Sequence, residues 1–123
     1  MAQTVDVERI KTADCCDTGC CGSVVAPSLT EAQAEEYAEW FKAISDPTRV
    51  RILNLLARNP EPVCVCDITD QFPLHQPTIS HHLKILRDTC FVTTERRGKY
   101  MYYAINRNCL NAFPDAARRI MAV

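Results

Sequence analysis

The stretch that decides the fold runs from Gln76 to Asp88, QPTISHHLKILRD, and continues from Phe91 to Ile105 as FVTTERRGKYMYYAI. The first part carries apolar residues at three- and four-residue spacing, at Ile79, Leu83 and Leu86. This spacing predicts a helix with one apolar and one polar face. The second part holds two β-prone runs around Arg97-Gly98, where Gly can supply a positive φ. The stretch therefore predicts a helix followed by a β-hairpin with a basic tip.

A shorter helix is predicted just upstream of this stretch. Val65, Ile68 and Phe72 have helical spacing after the chain break at residues 59–62, NPEP. Two short helices joined by a tight turn make a helix-turn-helix, and a hairpin behind them makes a wing. The second helix of such a unit fits the major groove while the wing reaches the flanking backbone. We predict a mainly α fold with a β-hairpin wing, a winged helix-turn-helix that binds duplex DNA.

Two further helices are predicted before residue 59. Ser28 and Glu31 have capping-box spacing, and a wide aromatic stripe follows at Tyr37, Trp40, Phe41 and Ile44. This stripe is suited to a dimer interface. Asp46 is placed to cap the second helix, and Pro47 suits its first position. The buried side of the second helix is predicted to consist of Val50, Ile52, Leu53 and Leu56.

Charge is distributed unevenly along the chain, although the net charge is only −1. Residues 1–45 hold three basic and eight acidic side chains, whereas residues 74–107 hold six basic and two acidic ones and all three histidines. A local basic patch of this kind is typical of a nucleic-acid interface, although a polar helix face can also be merely solvated. The predicted base-reading residues are Gln76, Thr78, Ser80 and His81. The predicted phosphate contacts are Lys84, Arg87, Arg96, Arg97 and Lys99.

Length and composition exclude several classes of protein. A chain of 123 residues with 47% hydrophobic and 24% charged residues is expected to form one globular domain. No run of 18 apolar residues and no signal-peptide core is visible, so we expect a cytoplasmic protein with no membrane contact. The sequence also lacks a nucleophile paired with a base, a phosphate-binding Gly loop and an HExxH motif, so neither an enzyme nor an organic cofactor is expected. Residues 1–27 lack periodicity and are predicted to be a flexible, Cys-rich arm before a winged-helix domain at 28–123.

Four segments together resemble a known family. SDPTRVRILNLL, CVCDI, QPTISHHLKILRD and FVTTERRGKYMYY closely resemble the successive signatures of the ArsR/SmtB family of bacterial metal-responsive repressors, over about residues 30–121. The resemblance implies a homodimer formed by the first and last helices. It also implies an operator-bound state that is released when a metal or metalloid binds. On this basis the recognition helix is Gln76 to Arg87 and the wing is Phe91 to Ile105.

The sequence departs from the family pattern at two positions. Cys90 stands where the family usually has a Gly before the wing, and Pro114 interrupts the family pattern of the last helix, which it must start, split or kink. The zinc and nickel sensors of the family use His and acidic ligands on that helix. Residues 106–123 contain no His and only Asp115, which argues against zinc as the inducer.

Eight cysteines in a reducing cytoplasm are candidate metal ligands or redox thiols. By resemblance, Cys64-Val65-Cys66-Asp67 matches the thiolate motif of the arsenic and cadmium sensors, and thiolates select soft ions. Residues two apart on an ideal helix are turned by about 200°. The two sulfur atoms can meet one ion only if Cys64 lies just outside the helix or if the first turn opens. Binding is then expected to strain a helix end that leads to the recognition helix. The alternative is that one or both are small core residues.

The arm is expected to supply the remaining ligands. Asp14-Cys15-Cys16, followed by EEYAEWF, resembles the arms of arsenic repressors that contribute a vicinal cysteine pair. Trivalent arsenic and antimony favour three thiolates, which Cys15 or Cys16 can provide with Cys64 and Cys66, across the dimer. Cadmium or lead would want a fuller sulfur set, for which Cys20 and Cys21 are available. A zinc site made by the four arm cysteines alone does not have the usual spacing of structural zinc ligands.

The remaining candidates have simpler interpretations. His81 and His82 point about 100° apart on a helix, so one is expected to face DNA and the other to pack. Cys90 and Cys109 are expected to be packing residues. The sequence thus predicts a dimeric repressor induced by As(III) or Sb(III), with a Cd(II) or Pb(II) sensor as the main rival. A thiol redox switch and a metal-scavenging protein are two further hypotheses that the cysteines allow.

Overall fold

The computed structural model describes residues 24–109 and 111–123. Its helices are α1 (Glu31–Ala43), α2 (Pro47–Arg58), α3 (Val65–Asp70), α4 (Gln76–Asp88) and α5 (Ala112–Met121). Its strands are β1 (Val63–Cys64), β2 (Val92–Arg97) and β3 (Tyr100–Ile105), and a 3-10 turn at Arg107–Cys109 precedes α5. The prediction of a mainly α winged helix-turn-helix with a β-hairpin wing is confirmed. None of the helices within these residues is long and apolar enough to cross a membrane.

The N-cap of helix α1 lies two residues later in the chain than predicted. Thr30 is the N-cap: its Oγ1 accepts a hydrogen bond from the backbone N–H of Gln33 at 3.1 Å. The Gln33 side-chain oxygen in turn accepts from the backbone N–H of Thr30 at 3.0 Å. The predicted box of Ser28 and Glu31 was therefore wrong, because Thr and Gln offer the same reciprocal bonds at a later position.

Helix α2 starts as predicted but buries a narrower face. Asp46 accepts hydrogen bonds from the backbone N–H groups of Thr48 and Arg49 at 2.8 and 3.2 Å, and Pro47 occupies the first turn. Val50 is 49% exposed, so its assignment to the buried side was wrong. It lies two residues before the fully buried Ile52, which is about 200° around the helix.

The core sits where α2, α3, α4 and the base of the sheet meet. Six large side chains in it are fully buried: Ile52, Leu56, Ile68, Ile79, Leu83 and Leu86. The cluster is completed by residues at the β1–α3 junction, after α3 and in the sheet: Cys64, Val65, Phe72, Val92 and Tyr103. Burying each large apolar side chain contributes about 1.5–3 kcal/mol. Half of the fully buried side chains belong to α4, so this helix is the best-anchored element.

The sheet is antiparallel with strand order β1-β3-β2. The hairpin pairs Val92 with Ile105 at its base and Arg97 with Tyr100 at its tip. Gly98 has φ +62°, which suits the first central position of a two-residue turn and confirms the predicted hinge. The short strand β1 was not predicted. It pairs Val63 with Tyr103 and Cys64 with Tyr102.

Helix α5 is not interrupted by its proline. Pro114 is the third residue of the helix, where a backbone N–H would have no partner within the helix. The prediction that Pro114 starts, splits or kinks the helix is confirmed in its first form, because the proline lies in the first turn. At the other departure from the family pattern, Cys90 adopts φ +65° just after α4. Glycine reaches this left-handed conformation without steric cost, whereas cysteine does not.

Candidate nucleic-acid interface and thiol site

Because one face of α4 is buried in the core, its polar face points outward. Gln76, Thr78, His81, Lys84 and Arg87 are exposed, and Ser80 is half-buried. The N-cap residue His75 makes no side-chain capping bond. The first turn of α4 therefore presents Gln76 and Thr78 outward, as expected for a helix that reads bases with its N-terminal residues.

The Asp88 carboxylate forms ion pairs with both basic side chains of α4. It lies 3.1 Å from Lys84 Nζ and 3.5 Å from an Arg87 guanidinium nitrogen. The hydrogen bond from Lys84 lowers the pKa of Asp88 below its ordinary value, and the charge of Arg87 adds to this effect. These groups are exposed, and exposed ion pairs are weak. Both cations therefore remain available to phosphate.

The two adjacent histidines have different environments, as predicted. His81 is exposed, whereas His82 is half-buried with its Nδ1 3.1 Å from a guanidinium nitrogen of Arg49. A guanidinium only donates hydrogen bonds, so Nδ1 accepts and the ring is neutral. Burial lowers the pKa of His82, and Asp46 partly opposes this shift. His82 thus attaches the recognition helix to the start of α2.

The tip of the wing carries the other predicted phosphate contacts. Arg96, Arg97 and Lys99 are all exposed. Arg97 donates to both carboxylate oxygens of Glu95, at 2.9 and 3.3 Å, and its guanidinium lies 4.6 Å from the centre of the Tyr102 ring. The hydrogen bond from Arg97 lowers the pKa of Glu95. Arg96 instead donates to the Gly98 carbonyl at 3.4 Å.

Cys64 and Cys66 lie at the junction of β1 and α3. Cys64 is the last residue of β1 and the N-cap of α3, with extended backbone angles, so it lies just outside the helix. A side-chain hydrogen bond with Cys64 raises the pKa of Cys66, as do burial and nearby Asp67. Cys64 thus meets the first of the two conditions, a position just outside the helix. The expectation that binding strains this helix end stays a prediction.

Cys64 and Cys66 are two candidate ligands for a soft metal ion. Among residues 24–109 and 111–123, no three His, Cys, Asp or Glu side chains are grouped so that they could hold a metal ion. The predicted arm ligands Cys15 and Cys16, and the alternatives Cys20 and Cys21, lie outside the described residues. Two thiols fit a soft ion by their chemistry but leave its coordination incomplete. Any further ligand must come from beyond the described residues or from a second copy of the chain.

Cys90 and Cys109 lie on one apolar cleft of about 550 Å3 between α1 and the end of α4. Cys90 is exposed, so its assignment as a packing residue was wrong. It is the residue with a left-handed backbone conformation in the turn after α4. Cys109 is half-buried. The Asn106 side-chain amide donates to the Cys90 carbonyl at 3.0 Å and to Cys109 Sγ at 3.4 Å. Asn106 thereby closes the base of the hairpin.

Residues 46–94 match the family described as "Bacterial regulatory protein, arsR family". An arsenical resistance operon repressor of Staphylococcus xylosus is 39% identical over 77 residues, which are 63% of this chain and 72% of that protein. The chain belongs to the arsR family.

Other relatives show how broad this arsR family is. An uncharacterized HTH-type transcriptional regulator of Methanocaldococcus jannaschii is 49% identical over 71 residues, 58% of this chain and 79% of that protein. A homolog of a cadmium resistance transcriptional regulatory protein from Staphylococcus aureus is 35% identical over 78 residues, 63% of this chain and 64% of that protein. The chain is thus an arsR-family transcriptional repressor with arsenical- and cadmium-resistance regulators among its relatives.

Solved structures agree with the fold. An ArsR-like transcriptional regulator from Rhodococcus sp. RHA1 superposes with a TM-score of 0.63 at 26% identity, over 74% of this chain and 84% of that one. A domain from Mycobacterium bovis described as a homodimeric winged helix-turn-helix DNA-binding domain gives 0.60 at 22% identity, over 79% and 91% of the two chains. The family comprises DNA-binding transcriptional regulators.

Several residues of this arsR-family protein were missed by reasoning from the sequence. Glu95 and Tyr102 contact Arg97, and Arg49 contacts His82. The alternation of a hairpin places Glu95 and Arg97 on one face, so this pair could have been found from the strand pattern. The contacts of Tyr102 and Arg49 depend on register and helix packing, which no local pattern reveals.

Proposed function

We propose that this repressor binds operator DNA as a homodimer in the cytoplasm and is released when As(III) or Sb(III) binds cysteine thiolates. The thiolates are Cys64 and Cys66, with a third from Cys15 or Cys16 in an arm at residues 1–27 that precedes the domain at 28–123. The proposed DNA contacts are the exposed or half-buried polar residues of α4 and the wing: Gln76, Thr78, Ser80, His81, Lys84, Arg87, Arg96, Arg97 and Lys99.

The observation that carries the proposal is the position of Cys64 relative to Cys66. Cys64 is an extended N-cap residue just outside α3, and Cys66 lies in the first turn of that helix. Two neighbouring sulfur donors favour a soft thiophilic ion over the hard cations that take oxygen ligands. The arsenical resistance repressors among the relatives support a metalloid as this ion.

The dimer is supported by apolar side chains left exposed on α1 and α5. Phe41 is 36% exposed, Ile120 45% and Met121 70%. Phe41 also packs on Phe113 of α5 with ring centres 4.9 Å apart, so the two helices offer one adjoining surface. A twofold dimer implies an operator with an imperfect inverted repeat. Light scattering that shows a stable monomer bound to a single half-site would contradict this part of the proposal.

Thiol variants test the inducer site. Cys64→Ser and Cys66→Ser should each keep operator affinity and lose release by arsenite, because the inducer acts through its preference for one state. Moving the population from mostly bound to mostly free needs about 5.5 kcal/mol of such preference. A site without one of three sulfur ligands should fall short of it. Cys90→Ser is the matched control, since it removes an exposed thiol elsewhere.

The arm is tested with the same gel-shift titration. Cys15→Ser or Cys16→Ser should blunt release by arsenite, whereas Cys20→Ser and Cys21→Ser should matter less for arsenite and more for cadmium. Full arsenite release from a double Cys64→Ser, Cys66→Ser variant would move the sensor to other cysteines.

A cadmium- or lead-responsive repressor is the second candidate function. The cadmium-resistance relative and the two candidate sulfur ligands both accommodate it. Titration with arsenite, cadmium and peroxide against the DNA complex separates the three inducers.

A further inference from the structure

The thiol strand belongs to the same sheet as the wing. β1 consists only of Val63 and Cys64, and it pairs with β3 rather than with a separate element. Cys64 lies directly opposite Tyr102 in this pairing. A change in the backbone position of Cys64 therefore acts on β3, the strand that forms one side of the wing.

Tyr102 connects this strand to a basic residue at the wing tip. It lies opposite Glu95 in the hairpin, and Arg97 follows two residues later on the same face of β2. The Arg97 guanidinium lies 4.6 Å from the centre of the Tyr102 ring while its nitrogens bond Glu95. Diagonal cross-strand neighbours are within reach of aromatic and long side chains. The position of the Arg97 charge therefore depends on the Tyr102 ring.

Cys64 and Tyr102 also line one open cavity. It has a volume of about 880 Å3 and is bounded by residues of α2, the loop before β1, α3 and β3. Cys64 is buried and Tyr102 half-buried there. A ligand that reaches Cys64 thus enters the space against which the Tyr102 side chain packs.

We propose that Tyr102 is a positioning residue that transmits ligand binding at Cys64 to Arg97. This inference rests on the proposed function. Ligation fixes the Cys64 sulfur, shifts β1 against β3, and moves the tyrosine ring that holds the guanidinium. The wing then presents Arg97 differently to the DNA backbone. By linkage, DNA binding weakens the thiol site by the factor with which the ligand weakens DNA binding.

Paired variants test the connection. The measured quantity is the release factor, the ratio of operator Kd with and without sodium arsenite. Tyr102→Leu and Arg97→Ala should each lower this factor by about twofold to fivefold, the size of one exposed cation–π contact. Tyr102→Phe keeps the ring, and Arg96→Ala removes a neighbouring wing charge that does not contact Tyr102. Both controls should keep the wild-type release factor.

An NMR experiment without DNA separates this inference from the proposed function. The Arg97 Nε–H signal of the full chain is followed while arsenite or cadmium chloride is added, and ultraviolet absorption reports sulfur ligation. Ligation that shifts the signal in wild type and Tyr102→Phe, but not in Tyr102→Leu, supports the connection. Ligation with no shift in wild type overturns it and leaves the proposed function intact. Cadmium ligation without arsenite ligation overturns the arsenic assignment, and the connection is then decided on the cadmium titration. No ligation by either ion overturns both.

Discussion

The recognition helix and the wing are two DNA-facing elements with opposite support. Helix α4 inserts Ile79, Leu83 and Leu86 fully into the core, and all three belong to one buried cluster. In the hairpin, Val92 and Tyr103 are buried near the base, whereas the tip from Glu95 to Tyr100 is exposed. One element is held by packing and the other by strand pairing.

The packed helix suits base recognition, and the less packed wing suits the response to the proposed inducer. Base recognition needs side chains held in one position, which a packed helix provides. Phosphate contacts carry no sequence information. The wing is also the element that pairs with the strand of Cys64. In the proposed function, a ligand at the thiols changes DNA affinity through the wing while the recognition helix keeps its sequence preference.

The largest expected effect is on stability. Leu83→Ala removes a fully buried side chain and should lower the free energy of unfolding by about 2–5 kcal/mol. Thr93→Ala in the exposed part of β2, where the hydroxyl makes only a 3.5 Å contact, should change it by less than about 0.5 kcal/mol. Urea unfolding at one fixed protomer concentration measures both. Equal losses would show that the wing is packed as firmly as the helix.

The next effect is on DNA recognition. Gln76→Ala should cost about 1–3 kcal/mol on the operator and relax the preference at one base pair, because a good base contact is lost. Lys99→Ala at the wing tip should weaken all duplexes alike and reduce the salt slope by about 1. Binding isotherms on operator and scrambled duplexes at several salt concentrations distinguish the two. A changed base preference in Lys99→Ala would contradict the division of roles.

The sequence predicted helix α4 better than the wing. The helix is determined by residues close together in the sequence, whereas the wing sheet also depends on pairing with a distant strand. Spacing alone found the buried residues of α4, and Gly98 alone located the turn of the hairpin. The strand β1 has two residues and no periodicity, so its pairing with Tyr102 could not be predicted. The position of Cys64 just outside α3 was one of two conditions that the sequence offered for the thiols to meet one ion, and only the fold chose between them.

The smaller errors, and the choice that Pro114 left open, have similar causes. Thr30 with Gln33 and Ser28 with Glu31 are equivalent capping pairs in a sequence, and only the fold chooses between them. Val50 is apolar but falls outside the arc of α2 that faces the core. Pro114 has opposite effects in a first turn and in a helix interior, and the sequence did not locate the start of α5.

A smaller effect is expected when the acidic partners are neutralised. Glu95→Gln frees Arg97 and removes a negative charge near the proposed phosphate path, so it should tighten DNA binding about twofold at low salt. The gain should vanish as salt screens the charges. Asp88→Asn tests the same change on the recognition helix, where it frees Lys84 and Arg87.

The control for both is Asp115→Asn, which breaks an exposed pair with Arg118 on α5, away from the proposed interface. Fluorescence anisotropy in low and moderate salt measures the three variants side by side. A gain of the same size in all three would show that only net charge matters.

The smallest expected effect is a change in the pH dependence of stability. It tests only how α4 is attached to α2, because the wing at residues 91–105 contains no histidine. Burial lowers the pKa of His82 below its ordinary value of 6.5. As the pH falls, His82 therefore takes up its proton at a higher pH in the unfolded chain than in the folded one. The contribution of neutral His82 to folding stability is complete above about pH 6.5 and is lost as the pH falls through its lowered pKa. Protonation also ends the acceptance of the Arg49 hydrogen bond by Nδ1. His82→Asn should flatten the fall in Tm between pH 7.5 and 5.5, and His81→Asn, at an exposed position, should not. An equal flattening in both variants would show that the Arg49 contact does not hold the helix.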